Sequence, residues 1–219
     1  MERSAAKLVW EKPKMRAMHG DAANLPRARS GHSLSIVGNT GFLFGGLADG
    51  GEAMRVQASA LSEMHVVRFG KAEMEWSHLA LPASASPLPR WRHTACLHEG
   101  GIVVFGGYHT RILGVRKHRH PYFSRSSLRL NDVWVFNTVS VSWEQPHPPG
   151  GLETGKDASN CGAWPNLPQP RGGHSAAVCG GGMYVFGGYG AVPRPRVAKS
   201  VTERDSLPTH RLHKVPATR

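Results

Sequence analysis

A chain of 219 residues with 26 glycines, 16 prolines and 8% aromatics is one domain or two small ones, richer in turns than a helical bundle. No apolar run approaches the roughly 18 residues of a membrane-spanning helix, and the start, MERSAAKLVWEKPKM, lacks the apolar core of a secretory leader. Three irregularly spaced cysteines (Cys96, Cys161, Cys179) suggest neither a disulfide framework nor a zinc site, so a reduced, intracellular chain is expected, the cytoplasm being favoured over the nucleus.

Residues 1–25 form an N-terminal segment whose strand signal is KLVWEKP, carrying Trp10. A first unit spans 26–80. In it Arg29 stands three residues before His32, Ser33 follows, and FLFGG brings Gly45 and Gly46. Between His and glycine lie a short apolar run, a Gly-rich turn and a second apolar run ending in Phe, the pattern of a β-hairpin. LSEMHVVRFGKAEMEW adds two further strands and ends on Trp76.

The second unit, 81–146, repeats the order: Arg90, His93, Thr94, the hairpin TACLHEGGIVVF, Gly106 and Gly107, then LNDVWVFNTVSVSW with Trp134 and Trp143. After an inter-repeat loop at 147–169, residues 170–190 give a partial third unit with Arg171, His174, Ser175, Gly187 and Gly188. Each His precedes the first glycine by 13 residues, and Trp10, Trp76 and Trp143 are 66 and 67 residues apart. Three occurrences without a slip identify an internal repeat. Residues 191–219 hold seven Lys/Arg against two acids, with four prolines, and this composition predicts a disordered tail.

The repeated glycines raise the question of a phosphate loop. No G-x-x-x-x-G-K-[ST] is present and no amphipathic helix follows any FGG, so these glycines are read as turns that end a strand where a side chain would obstruct a neighbouring backbone. The three histidines recur at one position in different units, each beside a hydroxyl, which favours buried hydrogen-bonding groups over a metal set. His118 and His120 flank Arg119 with no third ligand nearby, and the surrounding positive charge opposes a cation. Cys96 and Cys179 fall in hairpin strands, and Cys161 has no positioned base. No catalytic residue, metal or cofactor is assigned, and the chain is expected not to be an enzyme.

Taken together, P-R-x-x-H-S, the apolar run ending in FGG, LNDVWVF and the closing Trp resemble the kelch repeat over about residues 8–190. The resemblance implies an all-β fold of four-stranded antiparallel blades in a β-propeller, with a period of about 50 residues. About two complete repeats and a partial third fall short of the roughly four to eight blades of a closed ring, so the ring is expected to stay open within this chain. Three accounts follow in order of preference: a truncated member of a longer family, completion by self-association or a partner, and an open arc.

A kelch repeat implies a non-enzymatic module that presents inter-strand loops to a protein partner. Residues 108–129, YHTRILGVRKHRHPYFSRSSLR, form the longest loop after an FGG, and 108–131 hold six Lys/Arg and no acid. Arg111, Arg116, Lys117, Arg119, Tyr122, Phe123 and Arg125 are the candidate partner-binding residues, since arginine and aromatics dominate binding hot spots. The net charge of +12 is concentrated in this loop and the tail, which suits an acidic partner surface. One alternative is nucleic acid, held by phosphate contacts and base stacking. The other is a fragment of a larger propeller without independent activity. A membrane partner is not expected.

Overall fold

The computed structural model of the chain describes residues 12–48, 59–71, 73–112, 125–146, 168–190 and 212–216. Strand β1 (Lys14–Ala17) leads to β2 (Arg29–Ser30), the hairpin of β3 (Ser33–Val37) and β4 (Thr40–Phe44), the short β5 (Leu47–Ala48) and β6 (Ser59–Ala60), and the hairpin of β7 (Met64–Phe69) and β8 (Glu73–Leu79). Next come β9 (Thr94–His98), β10 (Gly101–Ile112), β11 (Arg125–Asn137) and β12 (Ser142–Glu144), then β13 (Arg171–Cys179), β14 (Gly182–Gly190) and β15 (Leu212–Pro216). No α-helix occurs among the described residues, and none of their helices is long and apolar enough to cross a membrane.

These strands form three blades. Blade one is ordered β1-β8-β7-β4-β3, blade two β12-β11-β10-β9 and blade three β13-β14-β15, while β2-β5-β6 make a small separate sheet. Every pairing is antiparallel except that of β1 with β8. The tight turns inside the hairpins need left-handed backbone, supplied in blade two by Glu99 and Gly100 (φ 48° and 80°) and in blade three by Gly180 and Gly181 (φ 53° and 70°). The expected all-β blades are present, and the ring is not closed.

The core lies in the seams between blades. Strand alternation sends Ile102 and Val104 of β10 toward blade one and Val103 and Phe105 toward blade three. In the first seam Phe42, Phe44 and Met64 meet Ile102, Val104, Phe136 and Trp143; in the second, Val103, Phe105 and Val133 meet Met183 and Val185. A blade covered on both faces reads as a continuous apolar run such as IVVF, which is why IVVF carries no polar residue to mark an outer face.

Three segments depart from the sequence reading. The stretch read as a loop at 108–129 starts and finishes as strand: after a bulge at Phe105/Gly107 the ladder resumes with Gly107↔Leu130 and runs through Tyr108↔Arg129 to Ile112↔Arg125. Its Arg- and Ser-rich composition hides a period-two pattern that needs no apolar face on a two-stranded ribbon. The tail, read as disordered over 191–219, contributes β15, which pairs Phe186↔Leu212 through Gly182↔Pro216 and satisfies the edge of β14. The N-terminal segment contributes β1, paired Lys14↔Glu73 to Ala17↔Trp76, whereas Trp10 lies outside the described residues.

Because the first seam depends on the fully buried ring of Phe136, Phe136→Ala is expected to cost about 3–5 kcal/mol in denaturant unfolding. Val139→Ala, at a turn position 89% exposed, should stay within about 0.5 kcal/mol of wild type.

Candidate functional site

The repeated residues converge where one blade meets the next. Each repeat arginine donates from Nη1 to the carbonyl of the first FGG glycine in its own blade: Arg29 to Gly45 at 3.1 Å, Arg90 to Gly106 at 3.1 Å and Arg171 to Gly187 at 2.9 Å. Each Nε donates to the carbonyl two residues back, on Arg27, Leu88 and Gln169, at 3.1, 3.1 and 3.0 Å. The fully buried Arg90 guanidinium also grips Asp132 through two bonds of 2.8 and 2.7 Å. Asp132 in turn accepts from Trp134 Nε1 at 2.8 Å, so LNDVW is a strand start that holds an arginine and a tryptophan together. In blade one Glu63 takes the same role, 2.9 Å from Arg29 Nη2 and also paired with the more exposed Arg27.

Histidines bridge the seams. His93 Nε2 lies 2.8 Å from Ser33 Oγ of blade one, and His174 Nε2 lies 2.7 Å from Thr94 Oγ1 of blade two. The hydroxyls after His32 and His93 therefore serve the histidine of the following blade. Nδ1 of both rings is buried without a partner among the described residues. An unpaired bare nitrogen costs less than an unpaired N–H, which puts the proton on Nε2, donating to the hydroxyl. Burial, aided by the Arg90, His174 and His32 charges, lowers the His93 pKa to about 3; burial and then the Arg171 charge lower that of His174 to about 4. Both rings are neutral hydrogen-bonding groups across the physiological range. Each also meets the preceding blade's FGG phenylalanine edge-on, Phe44 with His93 and Phe105 with His174, at 5.2 Å between ring centres.

The FGG glycines divide two tasks. A Cβ on Gly45 would fall 2.7 Å from the Arg90 carbonyl, and one on Gly106 2.9 Å from the Arg171 carbonyl, both in the following blade. Gly46, Gly107 and Gly188 instead back onto the Cβ atoms of His32, His93 and His174 in their own blades, at 3.1, 2.9 and 2.8 Å. The tryptophans close the outer parts. Trp143 packs on Phe44 and Phe136 at 4.8 and 5.0 Å, while Trp76 sits with Leu43 and Val67 on the other side of blade one. Apart from the exposed His32, these repeat residues are engaged in holding the arc together.

Strand polarity decides what remains for a partner. The short turns of each hairpin (38–39, 70–71, 99–100, 138–141 and 180–181) lie at one end of the blades. Residues 80–93 and the strand ends at Ala48, Ile112, Glu144 and Gly190 lie at the opposite end. Of the candidate partner-binding residues, Arg111 and Arg125 stand at the far end of the β10–β11 ribbon, in register with Ser126 and Ile112. Arg116, Lys117, Arg119, Tyr122 and Phe123 lie outside the described residues.

Sequence reading missed an aromatic and cationic group at this same end. The rings of Trp91 and Tyr108 are 5.2 Å apart, and the Arg92 guanidinium carbon sits 4.9 Å from the Trp91 ring centre. Tyr108 leans over blade three so closely that a Cβ on Gly172 would lie 2.3 Å from its ring. Arg92 adopts left-handed backbone (φ 53°) at a position held by Gly31 and Gly173 in the other blades, and a backbone series runs through all three: Arg92 N–H to Gly31 O at 2.7 Å, Gly173 N–H to Arg92 O at 2.9 Å. Aligning the third residue of each R-x-x-H would have singled Arg92 out as the lone non-glycine.

Comparison with known proteins agrees with this geometry. The model of the KLHDC2/KLHL20/DRC7 Kelch-repeats domain matches residues 4–164. Host cell factor 2 of Homo sapiens is 29% identical over 198 residues, covering 86% of this chain and 20% of that protein. Host cell factor 1 of Rattus norvegicus is 28% identical over 189 residues, covering 82% of this chain and 8% of the relative. Kelch domain-containing protein 3 of Bos taurus is 26% identical over 184 residues, covering 83% and 38%. The chain thus spans well under half the length of each of these relatives.

Two outcomes follow from the seams. Asp132→Ala, which strands the fully buried Arg90 charge, should destabilise by about 3–5 kcal/mol in denaturant titration, and Glu63→Ala by less because Glu63 is 27% exposed. The unfolded chain takes up protons on His93 and His174 near pH 6.5, while the folded chain holds them neutral down to about 3 and 4 respectively, so stability is full above pH 6.5 and falls as pH drops toward those values. Thermal melts between pH 7.5 and 5 should show a loss approaching roughly 1.4 kcal/mol per pH unit for each histidine, and a His93→Gln/His174→Gln double variant should reduce the slope, leaving the share of His65, whose pKa burial also lowers to about 4.

Proposed function

Because the chain belongs to the kelch-repeat family, we propose that it is a non-enzymatic protein-binding scaffold, presenting the loops at one end of its blades to a partner protein. The observation that carries this reading is the division of labour along the repeat. Most of the motif side chains are engaged within the seams, which leaves recognition chiefly to residues that the units do not share. The described strand ends that border those residues lie at one end of the blades, on strands held by buried arginine and histidine contacts. Preorganised supports of this kind reduce the ordering cost that a loop incurs on binding.

The long segment after the second FGG is the candidate contact. Its sequence joins Arg111, Arg116, Lys117, Arg119 and Arg125 with Tyr122 and Phe123, and the ribbon that borders it starts at Tyr108, beside Trp91 and Arg92. Arginine and tyrosine supply large, directional contacts, and the excess of cations favours an acidic protein surface. The same composition suits single-stranded nucleic acid, where phosphate contacts would dominate.

Pull-down of cell extract with the wild-type chain, before and after nuclease, separates the two readings. Capture of a defined protein that survives nuclease and drops about tenfold or more with Tyr122→Ala or Phe123→Ala is the expected result. Recovery of nucleic acid alone, lost on nuclease treatment and falling steeply with salt and with Arg116→Ala or Lys117→Ala, would replace the protein-scaffold reading.

A further inference from the structure

We propose that the seam between blades two and three carries, at the end of the blades where Trp91 and Arg92 stand, a site for a phosphate monoester such as a phosphoserine or phosphothreonine of a partner protein. The protein origin of the ester rests on the scaffold reading above. Trp91, Tyr108 and Arg129 lie side by side across three chain segments. Trp91 and Tyr108 exchange backbone hydrogen bonds of 3.0 and 2.8 Å, and Tyr108 is in register with Arg129. Residues directly opposite one another share a face of the sheet, and the Tyr108 ring pressed against Gly172 shows that this face looks toward blade three. Arg92 joins the row through its guanidinium over Trp91. Tyr189 borders it from blade three: Arg92 Cδ and Tyr189 Cδ2 each lie 4.0 Å from where a Cβ on Gly173 would be.

This group is rich in donors and poor in acceptors. The arginine ion pairs among the described residues use Arg27, Arg29 and Arg90, and neither Arg92 nor Arg129 takes part in one. Trp91 Nε1 and Arg129 Nε are buried N–H groups with no acceptor among the described residues. Buried donors in native proteins nearly always have a partner, so an unmatched pair in one row points to a bound group. Arg90, two residues before Arg92, shows the contrast, since Asp132 and two carbonyls take up its donors. Backbone strain points the same way. Arg92 holds the left-handed conformation that Gly31 and Gly173 supply in the other blades, and its side chain is exposed.

The donor set selects the ligand. Two guanidinium groups and an indole N–H match a phosphate monoester, with a charge of about −1.5 to −2 and three acceptor oxygens, better than a carboxylate with one charge and two oxygens. Arginine addresses two such oxygens at once through its planar fork. Single-stranded nucleic acid fits less well. The Trp91 ring already meets Tyr108 at 5.2 Å and the Arg92 guanidinium carbon at 4.9 Å, so it is engaged in internal contacts instead of standing free to stack on a base. Tyr189, 49% exposed, leaves apolar surface for the carbon stem of the ester.

The test is nitrogen–proton NMR of the full 219-residue chain, following the Trp91 Nε1–H and Arg129 Nε–H signals. The probes are N-acetyl-phosphoserine N-methylamide, its glutamate counterpart, inorganic phosphate and an oligothymidylate. Both signals should move and saturate with the phosphoserine probe, and the glutamate probe should bind about tenfold more weakly or worse. Arg92→Gly should weaken phosphoserine binding about tenfold or more. That variant places glycine where the other blades have it, so it folds at least as well as wild type and its loss of binding is not a loss of structure. Arg129→Gln should weaken binding as well. Signals that stay still with the phosphoserine probe overturn the proposal, as does binding indifferent to Arg92→Gly. Glutamate bound as tightly overturns the choice of phosphate, inorganic phosphate bound as tightly overturns the ester, and tighter binding of oligothymidylate overturns the protein origin. Probe binding with an empty pull-down supports the site and overturns the scaffold reading, whereas protein capture without probe binding overturns the site alone.

Discussion

The arc depends on a guanidinium that has no access to water. Arg90 reaches three kinds of acceptor at once: the carbonyl two residues behind it, the carbonyl at the FGG turn and the carboxylate that opens the third strand. Arginine alone has a planar fork that can serve such a spread while staying charged under burial. The backbone carbonyl of that same residue lies where the preceding blade's first FGG glycine has no side chain. One residue thus closes its own hairpin, anchors the next strand pair and sets the spacing of the neighbouring blade.

Around that fixed point the other repeat residues become necessary. Neutral histidine fits the seam because its Nε2–H can reach the hydroxyl of the blade before it while its ring meets an FGG phenylalanine edge-on. Its low pKa is a consequence of burial beside arginine, so these histidines are structural members that happen to be titratable. Apolar packing fills the rest of each seam, where alternate residues of one strand belong to different interfaces. The blade is therefore not an independent unit, and stability passes along the arc from neighbour to neighbour.

What the sequence made legible was the part of this logic that repeats at short range. The His-to-glycine spacing, the hairpin between them and the LNDVW strand all lie within one unit, and the blades follow from them. The partner of each histidine did not, because Ser33 and His93 are 60 residues apart and belong to different units; only a seam brings them together. The Arg90–Asp132 pair was visible as two separate motifs, with nothing local to join them. The ribbon beyond Tyr108 and the strand at Leu212–Pro216 were missed for another reason. Their pairing is carried by backbone bonds to an existing edge, which demands little of side-chain pattern.

Arg92 is the position where the repeat and the individual chain part company. Its φ of 53° is the conformation that glycine supplies in the other two blades, and an L-residue is less stable there by about 1–2 kcal/mol. The backbone bonds on either side, to Gly31 and from Gly173, hold that conformation whatever the side chain is. A glycine would serve the seam better. What arginine adds is a guanidinium over Trp91, next to Tyr108, at the end of the blades from which the unshared loops depart. The strain is carried by the seam, while the side chain faces outward, so the same three-residue series that orders the arc also displays a charge at its loop end.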